Sequence, residues 1–290
     1  MGSSAFPRTI KHDLGATTIP QKPVRIAALT GPLVDGSVAL GLQVVALTDL
    51  GLGKGKVPDY LGSDGEKLAG DAVVVGPLLE PSLEKIAATK PDLIISQSFR
   101  HEKIYDQLSK IAPTVMSDQT GVGWREILRL LASATGTEAN AEKLISTYES
   151  RASEIGTKLK NKIGHAPTAA PIRFSGGATV RLYVANSFAG SVLRDAGFVL
   201  SDHKATDAAG SRVDVSQENL LMLDAEYMFI ASSGDDAAAR QAETFKANPL
   251  WKRLNGEIVN VRDETWITGL SYSAANSMLD DIEKQFGLTG

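Results

Sequence analysis

Apolar positions along the first half of the chain alternate between two rhythms. Short β-branched runs at 24–29, 44–48, 73–75 and 93–96 read as buried strands. Between the first two, Pro32 opens a helical pattern that runs through about Leu40. Strands separated by helical patterns predict a mostly parallel sheet with helices on its faces. Trp124, Ile127, Leu128, Leu131 and Ala132 then recur at helical spacing, and Gly136 ends that helix.

The next segment carries the architecture. Thr137 is a cap, and apolar residues recur at Ala141, Leu144, Ile145, Tyr148, Ala152, Ile155, Leu159 and Ile163 before Gly164. At 1.5 Å per residue this helix is roughly 40 Å long. Two readings stand, a rigid bridge between two lobes or one long core helix in a single domain, and the length favours the bridge. Beyond it the alternation resumes, with strands predicted at 172–175, 181–185, 227–231 and 258–261 and helices at 188–196, 216–223, 236–247 and 272–286. Asn248-Pro249 places a cap and a first-turn proline before Leu250-Trp251.

A repeat flanks the long helix. Ser82-Leu83-Glu84-Lys85-Ile86 followed by Pro91-Asp92-Leu93-Ile94-Ile95 aligns without gaps on Ser216-Gln217-Glu218-Asn219-Leu220 followed by Ala225-Glu226-Tyr227-Met228-Phe229. Each copy reads as a Ser-capped helix with Glu in its first turn, leading through an acidic residue into an apolar strand. The expected fold is therefore α/β, with two Rossmann-like lobes joined by one long backbone α-helix. The expected boundaries are 8–137, 138–164 for the linking helix, and 165–290.

Composition narrows the function. The chain has 290 residues, 43% of them hydrophobic, which is enough for a sizeable core. A net charge of -4 without a long Lys/Arg run argues against a nucleic-acid partner. There is no cysteine, which removes disulfides, thiolate metal sites and thiol nucleophiles. No apolar stretch approaches the ~20 residues that span a membrane. Met1-Gly2-Ser3-Ser4 reads as an expression scar, so a signal peptide is expected to have been trimmed.

The main rival class is an enzyme on a Rossmann-like fold. Gly51-Leu52-Gly53-Lys54-Gly55-Lys56 suggests phosphate binding but lacks the P-loop spacing, and reads as a loop. There is no G-x-S-x-G and no H-E-x-x-H, and His12, His101, His165 and His203 are scattered.

Several stretches together resemble the siderophore-binding proteins of ABC importers, the class with two α/β lobes on a single backbone helix. They are Ile10 through Pro20 (IKHDLGATTIP), Lys22-Pro23-Val24-Arg25-Ile26, Pro81 through Ile95 (PSLEKIAATKPDLII), and Phe99 through Tyr105 continuing to Leu108 through Val115. In the second half they are Arg181-Leu182-Tyr183, Ser187 through Leu193, Asn248-Pro249-Leu250-Trp251 and Ala274 through Asp281. The Phe99 to Val115 stretch is similar to the hydroxamate and citrate-type subgroup.

The resemblance implies a transported ferric siderophore, with no intrinsic cofactor and no metal ligated by the protein. It implies an ABC permease dimer as partner, docked through Glu84 and Glu218, one on each lobe. A monomer is expected, at the periplasm or the outer face of the cytoplasmic membrane, with a lipid anchor in the native protein as one possibility. Haem, cobalamin and ferric citrate remain alternative ligands.

A ferric siderophore needs cationic donors for its outer oxygens and aromatic walls for its organic frame, and arginine supplies a planar, permanently charged fork. Arg100 lies just past a predicted strand end, where open α/β sheets bind ligands. Trp124 and Arg125 begin a helix after the loop at 120–123, and Trp124 reads either as a wall or as core cover. Arg181 and Tyr183 share one strand face by period-two alternation. Arg212 follows the loop Ala208-Ala209-Gly210-Ser211, and Trp266 and Tyr272 flank a glycine-containing turn where they would close a cleft. Trp251 reads as packing. Glu84 and Glu218 also gain from the helix dipole, which is their plain structural role.

Overall fold

A computed structural model describes residues 5–52, 57–119 and 123–288. Gly53 to Lys56, the centre of the glycine–lysine stretch, and residues 1–4 lie outside the described residues, as do 120–122. The chain divides into two compact units, Met1–Ser146 with Ser271–Ser273, and Thr147–Leu270 with Ala274–Gly290.

The first unit begins with an antiparallel hairpin, β1 (Arg8–His12) and β2 (Gly15–Ile19). Then follow β3 (Arg25–Ala28), α1 (Gly31–Ala39), β4 (Gln43–Leu47), α2 (Gly62–Ala69), β5 (Val73–Val74), α3 (Leu83–Ala88) and β6 (Leu93–Gln97). The unit continues with α4 (Ser98–His101), α5 (Tyr105–Ile111), β7 (Thr114–Ser117) and α6 (Trp124–Thr135). Its sheet runs β5-β4-β3-β6-β7, with neighbouring strands parallel throughout. Ala27, Leu29, Ile86, Ile94, Leu108 and Met116 form the core beneath it. The hairpin covers the outer edge of β7, with Asp13 N–H donating to the Met116 carbonyl (3.3 Å) and the Thr17 hydroxyl to that of Thr114 (2.6 Å). Covering an exposed edge removes a template for unwanted strand pairing.

Gly136, in the left-handed region at φ 69°, closes α6 as the sequence predicts. The Thr137 carbonyl then accepts from Asn140 and Ala141 N–H at the start of α7 (Glu138–Ile163), 26 residues that pass from the first unit into the second. Ala141, Ile145, Tyr148, Ala152, Ile155 and Leu159, spaced alternately four and three apart, are all buried. Within the second unit α7 packs tightly on the turn after the next helix. A Cβ on Gly156 would sit 3.2 Å from Ala196 backbone, and one on Gly197 (φ 85°) only 2.9 Å from the Gly156 Cα.

The second unit contains β8 (Thr168–Phe174), β9 (Val180–Tyr183), α8 (Phe188–Asp195), β10 (Val199–Leu200), β11 (Arg212–Val215) and β12 (Tyr227–Ser232). After these come α9 (Asp236–Ala247), β13 (Glu257–Asn260), α10 (Asp263–Trp266) and α11 (Tyr272–Phe286). Its sheet runs β11-β9-β8-β12-β13, with β10 beside β8. Central strands β8 and β12 pair in parallel, as β3 and β6 do, while β9 and β11 run antiparallel to their neighbours.

The repeat takes physical form at the start of each central pair. Asp92 Oδ2 accepts from the N–H groups of Val24 and Arg25, both at 3.0 Å, where β3 begins. Glu226 Oε2 accepts from Thr168 N–H at 2.8 Å, where β8 begins, and Oε1 meets His165 at 2.6 Å. In each unit the acid that precedes the second central strand latches the first.

Several local expectations change. Ser82 caps α3 by accepting from Lys85 N–H (3.3 Å), but 217–223 is a 3-10 helix with non-helical φ/ψ at Asn219, and Ser216 makes no side-chain cap. Arg212 is not a loop residue, because Arg-Val-Asp-Val pairs with β9 as strand β11. Asn248 Oδ1 accepts from Leu250 N–H (2.9 Å) ahead of a single 3-10 turn, Trp251–Arg253, not a longer helix. No helix among the described residues is long and apolar enough to cross a membrane.

A buried carboxylate organises the return of the chain to the first unit. Asp35 of α1 accepts from the Ser271 hydroxyl (2.7 Å) and from Ser273 N–H (3.1 Å), at the start of α11. A carboxylate there satisfies helix-end donors and matches the helix dipole. We expect Asp35→Ala to cost about 2–3 kcal/mol, since donors to a buried charged acceptor lose their partner. Urea unfolding of wild type and variant measures it, and an unchanged midpoint refutes this role for Asp35.

Candidate functional site

Parallel strands present their C-terminal ends along one edge of a sheet, and ligands of open α/β sheets bind outside that edge. In the first unit β6 ends at Gln97 and leads directly into α4, which carries Phe99 and Arg100. β7 ends at Ser117, and the chain then enters α6 at Trp124 and Arg125. Two bonds hold these strand ends together: Gln97 Nε2 donates to the Gln119 carbonyl (2.8 Å) and the Ser98 hydroxyl to that of Ser117 (3.3 Å).

Arg100 lies 5.0 Å from the Phe99 ring centroid, and its buried Nε has no hydrogen-bond partner among the described residues. Burial pulls its pKa down from the usual guanidinium value. Next to it, His101 is 1% exposed. Its Nδ1 lies 2.6 Å from the Ser96 hydroxyl and its Nε2 2.7 Å from the Leu78 carbonyl.

Trp124, Arg125 and Tyr272 meet in the first unit. The Arg125 guanidinium lies 4.4 Å from the Trp124 centroid, and the Tyr272 ring is 6.0 Å away on a tilted approach. Trp124 is only 1% exposed. The indole is therefore a buried support, not a wall, and Arg125 and Tyr272 are the partly exposed members.

The second unit brings Arg181, Tyr183 and Arg212 onto one sheet face. Arg181 and Tyr183 are half-buried while Val180 and Leu182 point into the core. Arg212 is directly opposite Tyr183 in the β9–β11 register, and Asp214 is opposite Arg181. Arg212 Nε takes Asp214 at 3.3 Å. Asp207 accepts from Ser211 and Arg212 N–H at 2.7 and 2.9 Å and so fixes the start of β11.

On the other side of Arg181 stands Arg173 of β8, its direct cross-strand partner. Arg173 is held by Asp263, Nε to Oδ1 at 2.6 Å and Nη2 to Oδ2 at 2.8 Å. Arg181 thus has a cation opposite it on one strand and a carboxylate engaged elsewhere on the other. It makes no hydrogen bond or ion pair among the described residues. Like charges directly opposite each other destabilise a sheet, so nothing in the fold of this unit explains this arginine. Arg173 was not singled out from the sequence, although an arginine inside an apolar strand run was the available signal.

Trp266 does not join this group. It is 1% exposed, stacks on Phe229 at 4.6 Å and 22°, and donates Nε1–H to Asp281 at 2.8 Å. It is core. Trp251 packs 6.2 Å from Phe174, as expected. Glu84 and Glu218 are exposed, and neither has a hydrogen bond or ion pair among the described residues. No three His, Asp or Glu side chains among the described residues gather as a metal-binding group.

Residues 34–256 match the model of a family described as periplasmic binding protein. The chain belongs to this family. It is 34% identical over 98% of its length to the probable siderophore-binding lipoprotein YfiY of Bacillus subtilis (strain 168), covering 89% of that protein. It is 31% identical over 92% of its length to the achromobactin-binding periplasmic protein of Dickeya dadantii (strain 3937), covering 88% of it. Among solved structures it is similar to Staphylococcus aureus SirA complexed with staphyloferrin B, with a TM-score of 0.85 at 28% identity, covering 97% of this chain and 98% of that one. The family is one of substrate-binding proteins. The two-unit α/β architecture expected from the sequence agrees with both the topology and these likenesses.

Two histidines set a pH dependence of stability. Burial lowers the pKa of His101, opposed by its bond to the Leu78 carbonyl and assisted by Arg100; burial lowers that of His12, opposed by Asp13. The folded state therefore prefers both rings neutral. Their contribution is complete above the ordinary histidine value of about 6.5 and is lost as pH falls below it, because the unfolded chain takes up protons first. We expect the thermal unfolding midpoint to fall between about pH 7 and about pH 5, and less steeply in His101→Gln. Parallel melting curves for the two proteins check this, and identical slopes refute the assignment to His101.

Proposed function

We propose that this chain is the substrate-binding component of an ABC importer, which captures a ferric siderophore and delivers it to a membrane permease for iron uptake. The observation that carries the reading is the pair of arginines whose side chains make no hydrogen bond or ion pair among the described residues. Arg100 has a buried, unpartnered Nε at the sheet edge of the first unit. Arg181 stands opposite another arginine in the second. An anionic ligand supplies the missing acceptors, and charge-assisted bonds to a guanidinium are among the stronger polar contacts. Iron that arrives coordinated by its siderophore needs no ligand from the protein. The likenesses to a probable siderophore-binding lipoprotein, an achromobactin-binding protein and a staphyloferrin B complex support the same chemistry.

In this reading Arg100, Arg125 and Tyr272 are the ligand residues of the first unit, with the Trp124 ring packed against Arg125. Arg181, Tyr183 and Arg212 are those of the second. The ligand is of the citrate-hydroxamate or hydroxamate type, as the Phe99 to Val115 stretch implies. The chain binds without turning its ligand over. It works as a monomer at the periplasm or the outer face of the cytoplasmic membrane, with a lipid anchor as in the relatives named lipoproteins. Glu84 and Glu218, exposed and unengaged, dock on cationic residues of the two permease subunits.

Tryptophan-fluorescence titration with the ferric complexes of staphyloferrin B, achromobactin, citrate, a citrate-hydroxamate, a trishydroxamate and enterobactin, beside haem and cobalamin, tests the ligand class. Saturable binding by one ferric siderophore is expected, and Arg100→Ala or Arg181→Ala should weaken it about 10- to 100-fold, the loss of a charged hydrogen bond. Binding of haem or cobalamin alone overturns the ligand assignment. Glu84→Ala and Glu218→Ala should leave affinity within about twofold while abolishing iron uptake in cells, because exposed carboxylates contribute little to the fold. Normal uptake by the double variant refutes the docking role.

A further inference from the structure

His101 is enclosed at the sheet edge of the first unit, 1% exposed, with both ring nitrogens engaged by the protein. A carbonyl only accepts, so His101 Nε2 carries the hydrogen and donates to Leu78 O at 2.7 Å. That leaves Nδ1 of the neutral ring to accept from the Ser96 hydroxyl at 2.6 Å. The ring thereby ties the loop after β5 to the continuous stretch formed by the end of β6 and α4. Each neighbour of this tie carries ligand chemistry. Leu79, next to Leu78, is 64% exposed, and Phe99, on α4 with Arg100, is 55% exposed.

Arg100 needs such a hold. Its side chain makes no hydrogen bond or ion pair among the described residues, and its one described contact is the Phe99 ring. With no polar partner on the side chain, the direction of the guanidinium is set by where the backbone of α4 stands. Among the side chains, His101 supplies the bond between that four-residue helix and the loop at Leu78. We infer that His101 is a positioning residue: it holds α4 against the loop after β5, so that Arg100 meets the anionic outer oxygens of the ligand while Phe99 and Leu79 flank it with apolar surface. The inference rests on the siderophore reading above and assigns His101 no contact with the ligand.

A double-mutant cycle tests it, with ferric staphyloferrin B as the first probe and the best-binding complex of the panel if another saturates more tightly. His101→Leu, which keeps volume and loses both bonds, should weaken binding about tenfold. His101→Gln retains an amide donor for the Leu78 carbonyl and should recover most of that loss. In an Arg100→Ala background, His101→Leu should produce no further weakening, since there is no guanidinium left to position. Equal losses with and without Arg100, or equal losses for Leu and Gln, overturn the inference. Ser96→Ala removes only the hydroxyl that Nδ1 accepts from, and its roughly threefold loss should vanish in the same background, which keeps the test decisive if His101→Leu does not fold. No saturation of the wild-type protein by any ferric siderophore overturns the underlying reading and this inference with it.

Discussion

Each unit depends on the parallel pairing of its two central strands, β3 with β6 and β8 with β12. Parallel neighbours cannot be joined by a tight turn, so the chain must leave the sheet and return over one of its faces. That requirement covers the strands with helices, and β6 is buried at every position. It also sends the C-terminal ends of β6 and β7 out along one edge, where the chain re-enters helices at Arg100 and Arg125. The acids ahead of β6 and β12 secure this arrangement from the opposite end. Asp92 and Glu226 each accept backbone N–H groups where the neighbouring strand begins, which fixes the register on which the far edge depends.

The distribution of charge then separates structure from function. The chain holds 34 acidic and 30 basic side chains, so an arginine without a carboxylate is not the result of a shortage. The second unit pairs its other two sheet arginines with carboxylates, Arg173 with Asp263 and Arg212 with Asp214. Arg181 lies in register between Arg173 and Asp214, whose charges are engaged with other partners. A half-buried cation held beside another cation lowers stability, and it is this cost that the proposed anionic ligand would offset. The same reasoning applies to Arg100, whose Nε is removed from water without an acceptor.

How much of this was legible in the sequence follows from range. The long helix, α9, α11 and the central strands come from apolar spacing within one segment, and each appears within a few residues of its expected place. The common face of Arg181 and Tyr183 needed only period two. What stayed hidden depends on partners distant in the chain. Arg212 reads as a loop residue until β9 pairs with Arg-Val-Asp-Val, an alternation too short to stand alone. Trp124 reads as a wall or as core cover and Trp266 as closing a cleft, because burial of one indole is decided by the rings packed on it, Tyr272 and Phe229. The hairpin at Arg8–Ile19 alternates visibly, but its place over the β7 edge is fixed by Asp13 and Thr17 reaching residues about 100 positions away. His101 was one of four scattered histidines, and only the approach of the Leu78 carbonyl distinguishes it.

The repeat shows which features each unit must keep. The two copies share a serine, a glutamate two residues later and an acid ahead of the strand, yet one folds as an α-helix and the other as a kinked 3-10 helix. The local helix is therefore not what the two units hold in common. The acid latch is held in common, and so is the exposed carboxylate at Glu84 and Glu218. The latch has a complete structural explanation in the N–H groups it satisfies. The two glutamates keep the first-turn place that the helix dipole favours, and neither makes a hydrogen bond or ion pair among the described residues. Corresponding carboxylates on differently built turns therefore owe their likeness to their place ahead of the strand and not to a shared helix.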